Sequence, residues 1–242
     1  MKLFIGCSGF HYRHWIKKFY PEQLPKNKWL EYYAEHFNTV EINNTFYKMP
    51  EEKTLLDWKI KTPADFKFTI KANRFLTHQK KLITDDDFRE SFHSFIATVS
   101  KLEEKLGCIL WQLPGNQGID IEKLDNFCRL LDSKIPHFIE FRNLSWFVKE
   151  THDVLSEHGI GYCMLSAPKP LPEEVTATSS TGYLRFHGKT AWYNYHYKEN
   201  ELDDWVQKLK KLQLTGELYI YFNNDNNAWA VENAKYIRSQ LE

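Results

Sequence analysis

Residues 39–47, TVEINNTFY, set the tightest constraint in the chain. Val40 and Ile42 alternate with Thr39, Glu41 and Asn43, the two-residue period of a pleated strand running into a loop. The apolar set can pack beneath helices. The other set places a carboxylate and an amide where a core would take methyl groups. An unpaired buried charge is costly, so Glu41 needs either a partner or a wet strand end.

The same layout, an alternating apolar run ending in polar groups, returns at 3–7, 66–71, 108–113, 137–141, 162–165, 183–187 and 217–222. Helical spacing marks 29–36, part of 51–61, a long stretch from the acidic 85–87 to about 106, then 120–131, 201–212 and 228–241. Residues 73–84 read as a basic loop. Ser145 is expected to cap a helix running to Glu157, with Gly159 closing it. Residues 167–181, rich in Pro, Ser and Thr, read as a connection without a full helix.

Eight strands that mostly alternate with helices imply parallel neighbours. Parallel pairs need crossovers, the crossovers are right-handed, and eight such units can close into a barrel. An open doubly wound sheet would favour near-continuous apolar central strands, whereas several strands here carry polar inward sets. The expected fold is α/β, a single (β/α)8 TIM-type barrel over residues 1–242. With 242 residues, 42% of them hydrophobic, the apolar material suffices for one core.

Charge and cysteine usage narrow the function classes. Thirty-two basic and 32 acidic residues leave no global basic footprint, so bulk charge predicts no non-specific nucleic-acid affinity, although a local patch could supply one. Cys7, Cys108, Cys128 and Cys163 show no C-x-x-C spacing, which points away from a disulfide framework and towards a reducing cytoplasm. The opening MKLFIGC is too short before Cys7 for a secretory signal. No apolar run approaches the ~20 residues that span a bilayer, so no membrane partner is expected.

In a barrel of this type the functional face lies at the strand C-terminal ends. Those ends carry Ser8, Glu41, Asn43, Lys71, Gln112, Glu140, Arg142, Ser166, Arg185, His187, Asn223 and Asp225. Glu41 and Glu140 are candidates for acid/base work or metal binding. Equally, they could pair with neighbouring bases, Glu41 with Lys71 and Glu140 with Arg142 or Arg185. Lys71 could bind an anion or act as a base. Arg142 and Arg185 suit bidentate recognition of carboxylate or phosphate. His187 could be an acid/base or simply hydrogen-bonded. If these groups serve a ligand and not the fold, alanine at Glu41, Arg142 or Arg185 should spare the melting temperature.

Cofactors are not indicated. Gly6 and Gly9 lack the G-x-G-x-x-G pattern, and no G-K-[ST] phosphate loop occurs. A divalent metal stays open, with His11, His14 and His78 in loops as added ligands, but there is no H-E-x-x-H spacing. Cys7 reads as a small buried residue. His11, Tyr12, Trp15, Tyr47 and the aromatic 192–197 loop could wall a site. Beside the basic groups they would suit a ring-bearing anion, a nucleotide or single-stranded nucleic acid.

The segments GCSGFHYRHW, FYPEQLP, WLEYYAEHFNTVEINNTFYKMP, FTIKANRFLTH, LWQLP, EFRNLSWF, YLRFHG and YFNNDNNAWAVENA resemble, in order, the YecE-like family, domain of unknown function 72. The resemblance covers nearly the whole chain and implies a TIM-type barrel, similar at fold level to the xylose isomerase and endonuclease IV superfamily. It implies no assigned activity. Its motif positions fall on Ser8, Tyr12, Trp15, Glu41, Asn43, Phe46, Tyr47, Lys71, Gln112, Glu140, Arg142, Arg185, His187, Asn223 and Asp225. Ala228 departs from it where a glycine is expected, and Phe10 stands where Trp or Tyr is common. The multi-His metal set of endonuclease IV-type barrels is not visible.

The functional expectation is an enzyme acting on a small polar anion by proton transfer or hydrolysis. Glu41, Glu140, His187 and Lys71 would do the chemistry. Ser8, Tyr12, Trp15, Asn43, Tyr47, Gln112, Arg142, Arg185, Asn223 and Asp225 would hold the substrate. The alternatives are a nucleic-acid-binding or repair-related protein and a non-catalytic ligand sensor.

Overall fold

The computed structural model describes residues 1–242. Its elements follow as β1 (Lys2–Cys7), α1 (Trp29–His36), β2 (Thr39–Ile42), α2 (Glu52–Ile60), β3 (Lys67–Lys71), α3 (Asp86–Val99), β4 (Leu106–Gln112), α4 (Ile121–Cys128), β5 (His137–Glu140), α5 (Lys149–Glu157), β6 (Gly161–Ser166), β7 (Gly182–Phe186), α6 (Glu199–Lys210), β8 (Glu217–Phe222) and α7 (Trp229–Leu241). All ladders are parallel, in the order β1-β8-β7-β6-β5-β4-β3-β2. This is the (β/α)8 barrel that the alternation implies. No helix crosses from β6 to β7, as the composition of 167–181 predicts. No helix is long and apolar enough to cross a membrane.

The two faces of the strands build two layers. Inward residues Phe4, Cys108, Phe138, Tyr183, Tyr219 and Tyr221 fill the barrel. Outward residues such as Ile5, Val40, Ile70, Ile109 and Ile220 meet the helices in a larger apolar shell. A parallel sheet buried on both faces is the arrangement that βαβ crossovers enforce.

The joint between β1 and β2 differs from the other seven. Its only backbone pairing is a single bridge between Ser8 and Glu41. Below that, side chains stitch the strands together. The Tyr33 hydroxyl accepts from the Cys7 amide at 2.7 Å and donates to the Thr39 carbonyl at 3.0 Å. The Asn38 carboxamide accepts from Ile5 N–H at 3.1 Å and donates to the Leu3 carbonyl at 2.7 Å. Gly6 permits the approach, since a Cβ there would lie 2.2 Å from the Thr39 carbonyl oxygen.

Local departures have local causes. The long helix expected to reach about residue 106 stops at Val99; a 3₁₀ stretch, Ser100–Lys105, follows, with Glu103 at φ 50°. Residues 73–84 are not a plain loop but contain a π-helical turn, Phe75–Gln79. Ser145 does not cap α5. That helix starts at Lys149 after an extended Val148, while the Ser145 hydroxyl accepts from Ile119 N–H and donates to Asn143. Asp85 does cap α3, accepting from Phe88 N–H, and Gly159 ends α5 at φ 64°.

Ala228, where the resemblance expects glycine, has φ 63° and ψ 20°, and precedes the first turn of α7. A Cβ in this left-handed region costs about 1–2 kcal/mol. Ala228→Gly should therefore raise the unfolding free energy by about 1 kcal/mol, read as a higher urea midpoint with an unchanged slope.

Candidate functional site

Period-two alternation carries polar groups from separate strands to one end of the barrel. Glu41 (β2), Glu140 (β5) and Arg185 (β7) meet there, all at most 1% exposed. Arg185 lies between the carboxylates: one Nη reaches Glu41 Oε1 at 2.7 Å, the other Glu140 Oε2 at 2.5 Å. Glu41 also accepts from Ser8 Oγ at 2.6 Å, from Asn43 Nδ2 at 3.1 Å and from the Tyr183 hydroxyl. Glu140 takes the Arg142 Nε–H as well. Two carboxylates thus face two guanidinium groups, the geometry in which buried ion pairs are tolerated.

His187 completes this network. Arg142 Nη2 lies 3.0 Å from its Nε2 and Asn223 contacts Nδ1 at 3.2 Å. A guanidinium only donates, so Nε2 is the acceptor in the Arg142 contact. Burial, then Arg142 and Arg185, push the imidazole well below its ordinary value. Burial alone would raise the Glu140 carboxyl, but Arg142 and Arg185 outweigh it and hold the group well below the usual range.

Lys71 is different. Its Nζ donates to the Gln112 carbonyl oxygen at 2.6 Å and lies 4.4 Å from the Phe46 ring centre, and no carboxylate bridges it. Burial, reinforced by Arg185, lowers its amine to about 8. The pairing of Glu41 with Lys71 that the sequence allows does not form, because Arg185 occupies that carboxylate. The His78 ring stands edge-on to the other side of this patch, 4.7 Å from Phe46. Burial and then Lys71 depress it to about 4. The imidazole is neutral beside an ammonium.

The remaining predicted residues distribute around the rim. Trp15 is fully buried against Phe19, Tyr20 and Tyr33, so it offers no wall to a ligand. Its indole instead donates to Asp225 at 2.6 Å. His14 also contacts Asp225; burial nevertheless raises that carboxyl to about 6. Tyr12 donates to the Ser8 carbonyl at 2.6 Å. Tyr47 is 74% exposed, touching Phe46 and standing apart from the carboxylates. Ser166 turns to Glu173 and Tyr197, away from the network. Cys7 is buried, and burial raises its thiol well above the ordinary range. No group of three or more His, Cys, Asp or Glu side chains is placed to hold a metal ion.

Two clefts open beside this filled centre. One, about 430 Å³, is lined by Gly9, Phe10, Tyr12, Asn43, Asn44 and Trp58, among others. The other, about 370 Å³, is lined by Arg142, Lys169, Leu144, Pro168, Leu171 and Trp192, among others. Sequence reasoning missed Tyr183 and the neutral state of His78. The alternation through Arg185 and His187 already puts Tyr183 on the inner face. Nothing in the sequence signals the π-helical turn that delivers His78.

An eight-stranded α/β barrel with a buried carboxylate–guanidinium network at its C-terminal mouth is the class of protein the coordinates define. The model for the protein of unknown function DUF72 matches residues 4–242, and the chain belongs to that family. It is 28% identical to the UPF0759 protein YunF of Bacillus subtilis, over 99% of this chain and 95% of that one. Identity to YecE of Escherichia coli K12 is 24%, over 95% and 89%. A DUF72 family crystal structure from Thermotoga maritima superposes with a TM-score of 0.85 at 29% identity, covering 100% of this chain and 99% of that one.

The ion-pair geometry leads to the opposite expectation from an alanine at Arg185 that spares melting. Removing Arg185 strands two buried carboxylates, so Arg185→Met should cost about 3–5 kcal/mol in a denaturant titration. Glu41→Gln, which keeps an acceptor for Ser8 and Arg185, should cost less.

Acid sensitivity follows from the same network. A depressed imidazole binds its proton more readily in the unfolded chain, so stability falls as pH drops below the ordinary 6.5 of His187. A second loss follows below the ordinary 4.5 of Glu140, as pH falls through its lowered folded value. Melting temperatures from pH 8 to 3 should show both, and His187→Gln should shrink the first, which the depressed His78 and His137 share.

Proposed function

We propose that the barrel mouth binds a small, polar, anionic substrate, and that the protein catalyses acid/base chemistry on it. One observation carries this reading: Lys71 keeps a cation at the mouth that no carboxylate neutralises. Glu41 and Glu140 are spent on Arg185 and Arg142. Lys71 is then the surplus charge in a poorly solvated place, where an anion gains most from it.

The roles divide accordingly. Lys71 donates a proton to a substrate oxygen that gathers negative charge, and takes one back; an amine near 8 is matched to that task at neutral pH. Gln112 fixes its position. Arg142, anchored behind by Glu140 and His187, holds the anion. Neutral His78 is within the same field and offers a ring nitrogen as a hydrogen-bond partner to the substrate. Glu41, Glu140 and Arg185 keep these groups in place.

A local basic and aromatic rim favours a second reading, single-stranded nucleic-acid binding. Exposed Lys169 lines one cleft with Arg142 and exposed Trp192, and exposed Tyr193 follows Trp192 in the chain. Its signature would be retention on oligonucleotide at low salt and steep release at moderate salt.

Affinity for inorganic phosphate, measured by calorimetry, should fall as pH rises through about 8, and Lys71→Met should abolish that dependence. A panel of phosphorylated sugars and hydroxy acids in deuterated water should show deuterium entry or hydrolysis. Lys71→Met should slow it at least about 100-fold. A wild-type protein that neither binds phosphate nor turns over any member of the panel overturns the reading.

A further inference from the structure

We infer that the cleft bounded by Arg142, Lys169 and Trp192 is a seat for a phosphate monoester carried on a flat ring, the ring resting on the Trp192 indole and the phosphate on the two cations. This deepens the proposed function and rests on its reading of the mouth as an anion site.

Four observations converge. The cleft measures about 370 Å³, within the size range of small-ligand sites. Its lining holds two cations and no carboxylate. Arg142 is held from behind through Nε by Glu140 and through Nη2 by His187, which leaves Nη1 without a protein partner. A phosphate monoester carries about −1.5 to −2 charges at neutral pH, so two cations suit it better than they suit a carboxylate.

The indole is placed for stacking. The Arg142 guanidinium lies 4.3 Å from the Trp192 ring centre, and Trp192 remains 36% exposed. A stacked guanidinium leaves the ring flat and fixed, ready for a second planar group. Its loop is pinned on both sides. Tyr193 N–H donates to the His187 carbonyl at 2.6 Å, and Asn226 N–H donates to the Tyr193 carbonyl at 3.3 Å. Tyr193 holds φ 63°, a left-handed conformation unfavourable for a bulky side chain. Gly188, at φ 111°, enters this turn where a Cβ would lie 2.2 Å from the Ala191 carbonyl oxygen. The backbone accepts strain to hold Trp192 over Arg142 at the edge of the cleft.

The test compares phenyl phosphate, inorganic phosphate, benzoate and phenol by calorimetry and tryptophan fluorescence, on the wild type and on Trp192→Leu, Lys169→Ala and Lys71→Met. Melting curves first confirm that each variant folds. Phenyl phosphate should bind about tenfold tighter than inorganic phosphate and above benzoate and phenol. Trp192→Leu should collapse that ratio, and Lys169→Ala should weaken both phosphates together. Phosphate binding that is lost in Lys71→Met yet unchanged in Trp192→Leu and Lys169→Ala overturns the cleft and leaves the proposed function standing. Ring-dependent binding that survives Lys71→Met does the reverse. Phenol or benzoate binding as tightly as phenyl phosphate removes the phosphate seat, as does no binding by any probe, which together with no turnover of the panel removes the proposed function as well.

Discussion

A single guanidinium, Arg185, holds the upper barrel together. It is 1% exposed and lies between two carboxylates from β2 and β5 that are wholly buried. Desolvating three charges in one place is unfavourable unless their geometry is close and their remaining hydrogen bonds are filled. Ser8, Asn43 and Tyr183 fill those of Glu41 and Arg142 fills those of Glu140, while the buried Arg185 Nε has no partner. Strands far apart in sequence are thereby fixed to a common point. The polar inward residues that an open sheet would not accommodate are what the barrel's top layer is made of.

The consequence for chemistry lies in what this network leaves over. Two carboxylates and two guanidinium groups balance, and Lys71 stands outside that balance with a neutral amide for a partner. Proton-transfer candidates must lie near the operating pH to work in both directions. The Glu140 carboxylate, held low by arginine, is a poor candidate on that ground. The Lys71 amine, near 8, is a better one. Anchoring and reactivity thus fall to different residues.

Much of this was legible in the chain itself. The alternation of Val40 and Ile42 against Glu41 and Asn43 places both the core face and the polar face of β2. The same period in the other strands delivers the barrel and the convergence of Glu41, Glu140, Arg142, Arg185 and His187. What a linear pattern does not hold is which partner wins. Spacing alone offers Lys71 to Glu41 and Arg185 to Glu140, and only the closure of the barrel brings β7 within reach of β2. Trp15 illustrates the same gap. A loop tryptophan among polar neighbours reads as a ligand wall, yet it packs under Tyr33 and Tyr20 and spends its N–H on Asp225. Ser145 shows that a good capping residue three positions before the N-cap does not cap the helix. His78 depends on a π-helical turn, and no short pattern announces one.

The clasp between β1 and β2 gives the barrel a preferred line of parting. Elsewhere adjacent strands are laced by several backbone hydrogen bonds that must break together. Here a phenol, a carboxamide and one backbone bridge do the holding, and side chains let go by rotating single bonds. β1 would swing away still laced to β8. Ser8, the last stitch of that clasp, is also a ligand of the Glu41 carboxylate. Mechanical loosening on one flank of the cylinder is therefore wired directly to the electrostatic centre, so a motion that parts the two strands also frees an oxygen of Glu41 from one of its donors.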